Sequence, residues 1–441
     1  MPKIIMDVER IHALEADILD GTQPTIEKQT VFANDTKRLL VHEEGGDFTK
    51  FPNIIETILA NGTVNFTGDQ SHGGNDITNV GNITADSISY EGFVNVKSYG
   101  ATGDGVTDDT AAINSAIQSS SGADVYLPPG TYITSAAINL KTGVSIVGVP
   151  NVSILSCSGT VHNASGAVAY LLGTDISNVT ISGISIDGNG TWSATGFTDP
   201  YVGGTAYGFN NADWGIRLVG CSNILIENCN VTGVEFGIRL INGTSRCSNV
   251  KIDKNYIYQC GRTVACANSD SLIITNNRIS GSLGDYVAAG GAITDSKFGD
   301  GVYFTYCTGV VVSNNVIDDI TRIGIVLEGT AITGETTRVV VDSNVIYDIH
   351  DAQGTEFNAG IWIEPTHSSP PIIISNNTID DSDYYGIVAS CNAIVTGGSI
   401  KNCDNVGISF RKATIDGVII SACSRGIDTG ISTSTDEFDI V

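Results

Sequence analysis

From about residue 213 to 431, hydrophobic and polar positions fall into two short units that take turns along the chain. The first is led by glycine: Gly215-Ile216-Arg217-Leu218, Gly237-Ile238-Arg239-Leu240, Gly301-Val302-Tyr303-Phe304, Gly324-Ile325-Val326-Leu327, Gly360-Ile361-Trp362-Ile363, Gly386-Ile387-Val388-Ala389, Gly407-Ile408-Ser409-Phe410 and a degenerate Gly426-Ile427-Asp428-Thr429. The second spaces an asparagine between hydrophobics, as in Ile252/Asn255/Ile257, Ile274/Asn277/Ile279, Val312/Asn315/Ile317, Val341/Asn344/Ile346 and Ile374/Asn377/Ile379. Apolar residues two apart follow strand periodicity, so Ile216 and Leu218 point one way and Arg217 the other. Where no insertion intervenes the units return after about 22 residues, a solenoid period.

One such coil cannot bury its own apolar row. Stacking coils at the sheet spacing of about 4.8 Å buries the row continuously and pairs each backbone with its neighbours. The pattern therefore predicts an all-β fold, a parallel β-helix. The asparagines recur once per coil, where the amide can bond the copies on either side and the backbone tolerates a left-handed turn. They predict an internal ladder, with Cys229 at the same place in an earlier coil and Gly398 and Val418 later. A leucine-rich solenoid needs a denser leucine frame and a hexapeptide solenoid a strict six-residue period. Neither pattern is present.

Three regions follow from the change in pattern. Residues 1–50 stand apart from the repeats: Ile4, Val8, Ile11, Leu14 and Ile18 share one helical face, and residues 30–41 read as two strands around an Asn34-Asp35 turn. Residues 51–92 are rich in Gly, Asn and Thr and read as a linker or a region that intertwines between chains. Residues 93–441 form the β-helix. Within it, Asp108 or Asp109 is placed to cap a helix over 110–117, whose Ala112, Ile113, Ala116 and Ile117 would close the first coil. Insertions interrupt the coils at about 187–212, 280–299, 329–337, 350–359 and 365–370, and such corner loops commonly carry binding.

Composition narrows the partners. A net charge of −26 opposes nucleic acid and anionic membranes, and favours a neutral or mildly charged partner over a strong polyanion. Acidic residues begin at Asp7 and no long apolar run occurs, so neither signal peptide nor membrane insertion is expected. The ten cysteines contain no CxxC pair, and buried free thiols are expected rather than a zinc frame. No cofactor motif is read.

Two stretches carry resemblances. FANDTKRLLVHEEGGDF, residues 32–48, resembles the small N-terminal module of bacteriophage tail fibres and spikes. VNVKSYGATGDGVTDDTAAINSAIQSSSGADVYLPPGTYITSAAINLKTGVSIVGV, residues 94–149, resembles the entrance of pectate-lyase-like right-handed β-helix proteins, a superfamily that includes phage tailspikes. The resemblance implies a virion tail protein made in the host cytoplasm. It would be a homotrimer, attached to tail or baseplate proteins through its N-terminal region and engaging host surface polysaccharide. No trimerisation domain is read after the helix, which leaves the assembly mode open. A non-enzymatic adhesin or structural tail protein, and a cellular carbohydrate-active enzyme, are the alternatives.

Aligning the glycine-led units gives two outward columns. One contains Arg217, Arg239, Tyr303, Val326, Trp362, Val388, Ser409 and Asp428. The other contains Thr305, Glu328 and Glu364, which places the two glutamates on successive coils. Their carboxylates can then approach the roughly 5 Å separation of retaining glycosidases, so Glu328 and Glu364 are the candidate acid and nucleophile or base, with Asp300 a third acid nearby. Tyr303 and Trp362 offer flat faces to sugar rings. Arg239 and His367 complete the expected binding residues. Asp104, Asp108 and Asp109 read as turn and cap residues, and the column Asp319, Asp348 and Asp381 as turn aspartates rather than a calcium site. The paired aspartates and Gly-His-Gly of polygalacturonases are missing, and no arginine beside an acid cluster supports a calcium-dependent pectate lyase. Cleavage by hydrolysis is therefore expected over elimination.

Overall fold

A computed structural model describes residues 93–157, 169–188, 214–282, 299–328, 338–350, 358–364 and 371–429, with short strands elsewhere. The chain divides into two compact units, Met1–Thr84 and Ala85–Val441. In the first, Thr30–Ala33 pairs antiparallel with Arg38–Val41, the hairpin expected around Asn34-Asp35, and Thr57–Ile58 pairs with Val64–Asn65. The expected helix over residues 4–18 lies outside the described residues.

The second unit is a right-handed parallel β-helix. Each coil contributes a strand to three ladders. In one coil Trp214–Val219 begins the turn, Ser222–Glu227 continues it and Asn230–Thr232 completes it, before Phe236–Ile241 stacks on the starting strand. Among the described residues the first two ladders join in a 22-stranded sheet and the third forms a 12-stranded one. The inward row Ile216, Ile238, Val264, Val302, Ile325, Ile361, Ile387 and Ile408 is buried throughout, one residue over the next.

The leading glycine has a steric cause. A Cβ on Gly301, Gly324 or Gly360 would sit 2.5, 2.6 or 2.9 Å from the carbonyl oxygen of the matching glycine one coil on, closer than real Cβ atoms approach. One coil meets the constraint differently. Strand Arg262–Ala267 stacks between Phe236–Ile241 and Asp300–Thr305, and Thr263 at its glycine place donates its hydroxyl to the Gly301 carbonyl. The repeat signature skips this coil, so Ala265 stands between Arg239 and Tyr303 in the outward column.

The asparagine ladder is present. Asn255, Asn277, Asn315 and Asn344 each donate from Nδ2 to the Oδ1 of the next, at 3.0 Å, and each ladder backbone N–H donates to the same oxygen. Cys229 joins it, its N–H donating to Asn255 Oδ1 at 3.0 Å. The left-handed turn is one residue earlier than expected: Asn228, Lys254, Asn276, Asn314, Ser343 and Asn376 have φ of 52° to 57°. The chain turns on the residue before the ladder, leaving the ladder amide free to aim inward.

Thr110–Ser119 is the capping helix, burying Ile113, Ala116 and Ile117 in the core of the first coils. Asp109 holds the N-cap position without a side-chain cap bond, and Asp108, one residue earlier, accepts from the Thr110 N–H at 3.0 Å. Asp109 instead accepts from the Thr102 and Gly103 amides, and Asp104 from those of Val106 and Thr107. Backbone donation by Thr107 and Val106 holds the Asp104 carboxyl at about 2. Nine of the ten cysteines are buried and all are free. No described helix is long and apolar enough to cross a membrane.

Candidate functional site

The first ladder carries three columns on its outer side. Residues preceding the glycine place, at the corner where the chain enters the strand, form one that the repeat pattern did not reveal: Trp214, Phe236, Arg262, Asp300, Ile323, Ala359 and Tyr385. Trp214 and Phe236 pack with Ala265 in an apolar cluster of their own, separate from the core of the helix. The corner column and the expected outward column therefore lie side by side on one surface.

At the centre of that surface Asp300 is fully buried. Its carboxylate lies 3.1 Å from Arg262 Nε, an ion pair, and accepts from Arg322 Nη1 at 2.9 Å. The second nitrogen of Arg322, Nη2, reaches Glu328 Oε1 at 3.0 Å. Burial, and then the negative charge of Glu328, raise the pKa of the Tyr303 hydroxyl. The Arg262 guanidinium covers the Tyr303 ring at 4.0 Å. Burial pushes the Asp300 carboxyl above the ordinary range, outweighing the pull of the two guanidiniums. Asp300, placed among the acids by sequence, does not reach the surface. It holds two arginines, and through Arg322 it orients Glu328.

Glu328 and Glu364 are neighbours across the ladder: Leu327 pairs with Ile363, and the Glu364 N–H donates to the Leu327 carbonyl at 3.0 Å. Their α-carbons are thus about one sheet spacing, roughly 4.8 Å, apart. Glu328 is half-buried and Glu364 exposed. Trp362 lies in the column beside them, its ring edge-on to Tyr385 at 6.0 Å, and Tyr384 packs on Tyr385 at 4.6 Å. Tyr303, Trp362, Tyr384 and Tyr385 remain half-exposed, leaving aromatic surface beside the carboxylates. Arg239 lies four coils earlier in the Trp362 column. His367 falls outside the described residues.

Sequence reasoning missed Arg262, Arg322, Trp214 and Tyr385. Extending each aligned unit one residue towards its N-terminus would have exposed Trp214 and Tyr385; Arg322 sits one place earlier still, and Arg262 belongs to the coil that lacks the glycine signature. Asp319, Asp348 and Asp381 adopt left-handed φ of 56°, 61° and 59°, as turn aspartates do. The Asp319, Asp348 and His350 side chains could bring ligand atoms together, but the His350 ring already bridges both carboxylates at 3.0 and 3.1 Å. That cluster belongs to the third ladder. A hollow of 320 Å³ bounded by Asn249, Lys251, Ser271, Ile273 and Val311 belongs to the second. Neither is near the paired glutamates in the chain's ladders.

The right-handed parallel β-helix is the architecture of pectate-lyase-like proteins. The chain belongs to the family described as Rhamnogalacturonase A/epimerase, pectate lyase-like, which it matches over residues 93–325, just over half its length. Mannuronan C5-epimerase AlgE1 of Azotobacter vinelandii is 35% identical over 136 residues, 28% of this chain and 10% of that protein. The chain thus spans about a tenth of that relative's length. Among solved structures, the Dettilon tailspike protein has a TM-score of 0.56 at 17% identity, covering 79% of this chain and 67% of that one. PfbA, a surface adhesin of Streptococcus pneumoniae, has a TM-score of 0.51 at 14% identity, covering 76% and 90%. The fold is shared by tailspikes, adhesins and polysaccharide-active enzymes.

Proposed function

We propose that the protein is a phage tailspike that binds host surface polysaccharide along the first ladder and hydrolyses a glycosidic bond there. The observation that carries the reading is the register of Glu328 and Glu364 on adjacent coils, beside the half-exposed rings of Trp362 and Tyr385. Glu328, oriented by Arg322, is the nucleophile or base. Glu364, exposed and facing the ligand side, donates the proton to the leaving oxygen. Asp300 and Arg262 act as positioning residues. Residues 1–50 attach to the tail or baseplate, residues 51–92 link or intertwine, and three copies assemble in the virion. The tailspike among the fold's neighbours and the tail-module resemblance support this context.

The test is release of reducing ends from host surface polysaccharide by the purified chain, beside a Glu328→Gln, Glu364→Gln variant. Turnover that disappears in a folded variant supports the reading, and turnover that persists sinks the assignment of the glutamates. Binding without turnover by the parent favours a second reading, an adhesin, for which the observation is that Glu328 is already engaged by Arg322.

A further inference from the structure

The other end of the same surface is cationic. Arg217 and Arg239 are register partners on adjacent coils. The Arg217 guanidinium lies 4.0 Å from the centre of the Trp214 ring, while Arg239 lies 4.2 Å from Phe236 and 5.5 Å from Trp214. Trp214 is 7% exposed, and its Nε1 and the Arg217 Nε are buried donors without an acceptor among the described residues. Such orphaned donors are unfavourable unless something beyond the chain completes them.

The charges around them do not cancel. Arg239 feels an attraction from Glu235 and repulsion from both Arg217 and Arg262, and Arg262 is already paired with Asp300. Among the described residues Arg217 has no carboxylate partner. In a chain of net charge −26, one uncompensated guanidinium is held half-buried on an aromatic face. At the opposite end, Glu328 and Glu364 repel anions, and Arg322 is committed to Asp300 and Glu328.

We propose that Arg217, Arg239 and Trp214 form an anion subsite for one acidic group of the bound glycan, a sugar carboxylate, set apart from the bond at Glu328 and Glu364. This rests on the glycan reading above and narrows it. Three coil steps, roughly 14 Å along the axis, separate the coil of Arg239 from that of Glu328, so the acidic sugar and the cleaved bond are more than one ring apart. The substrate is a heteropolysaccharide with spaced acidic groups and neutral sugars at the glutamates. A continuous polyuronate would place carboxylates against both.

The test is titration with glucuronate and glucose, and with sulfate as the anion control, at constant ionic strength, read by tryptophan fluorescence and thermal midpoint. Glucuronate is expected to give a saturable fluorescence change and a raised midpoint, with glucose giving neither and sulfate a weaker response. Arg217→Gln or Arg239→Gln is expected to weaken binding about tenfold, the loss of one charge-assisted contact. Arg217→Lys keeps charge but loses the planar fork, and should fall between Gln and the parent. Equal responses to glucuronate and glucose, sulfate matching glucuronate, or binding that survives the double arginine variant would each overturn the subsite. Absent cleavage with glucuronate binding intact counts against the hydrolase alone.

Discussion

Removing the Asp300 carboxylate is the sharpest perturbation of the site. Asp300→Ala leaves Arg262 and Arg322, only 11% and 16% exposed, facing each other without the anion between them. Breaking a buried pair by removing one partner typically destabilises by about 3–5 kcal/mol. A long repeat array need not unfold in one step, so the measurement is native-state hydrogen exchange in Asp300–Thr305 and Ile323–Glu328 rather than a single midpoint. A loss of that size accelerates exchange there by roughly two to four orders of magnitude. Strands at the far end, such as Val406–Asp416, should exchange as before because each coil contacts only its neighbours.

A companion variant separates charge from packing. Arg262→Met, Asp300→Leu, Arg322→Met replaces the whole buried group by apolar side chains and should recover most of the lost protection, since such replacement is often neutral or stabilising. It also frees Glu328 from Arg322, so protection should return without turnover. Exchange in Asp300→Ala within about threefold of the parent would refute the view that Asp300 clamps the two arginines, and with it the chain of orientation that leads to Glu328.

Other consequences of the fold are open to direct measurement. Asn315→Ala removes four ladder bonds, two received from Asn277 and two donated to Ile274 and Asn344, and should destabilise by about 3 kcal/mol or more, read as faster exchange in the adjoining coils. The Asp104 carboxyl is held at about 2 against an ordinary 3.8. Its folded pKa is depressed, so its stabilisation is full above the ordinary value and lost as pH falls through about 2. The thermal midpoint gap between parent and Asp104→Asn should therefore close over that window. With nine of ten cysteines buried, a thiol reagent should label mainly Cys423 in the native protein and all ten after denaturation. Burial, which lifts the thiols of Cys229, Cys260, Cys307 and Cys391 to about 12, keeps them inert.

What the sequence made legible was whatever repeats. Alternation told inward Ile216 from outward Arg217, and asparagine spacing gave the ladder. Column alignment gave Glu328 beside Glu364 despite the insertion between them. Corners were harder to read, because strand parity breaks where the chain bends: Trp214 shares the parity of Ile216 yet packs outside the core. The coil of Arg262 was invisible for a different reason. Its Thr263 solves by a hydroxyl bond the crowding that glycine solves by having no side chain, so the signature vanished while the geometry stayed. Pairing between Asp300 and Arg322 joins residues in neighbouring coils, and no local spacing encodes it.

These failures share a physical origin that bears on function. Gly301, Gly324 and Gly360 are unevenly spaced in sequence, yet their strands are consecutive in the ladder. Register is set by the stacked core and by carbonyls that crowd the glycine place, so a corner insertion changes loop length without moving the strand after it. Side chains projecting from the strands can thus hold a fixed spacing along the axis while the loops vary. A polysaccharide also repeats along its length, and a binding surface for it needs contacts at a constant interval. The ladder holds side chains at such an interval, arginines at one end and carboxylates at the other, and on the proposed reading the ligand is selected by which side chain each successive coil presents.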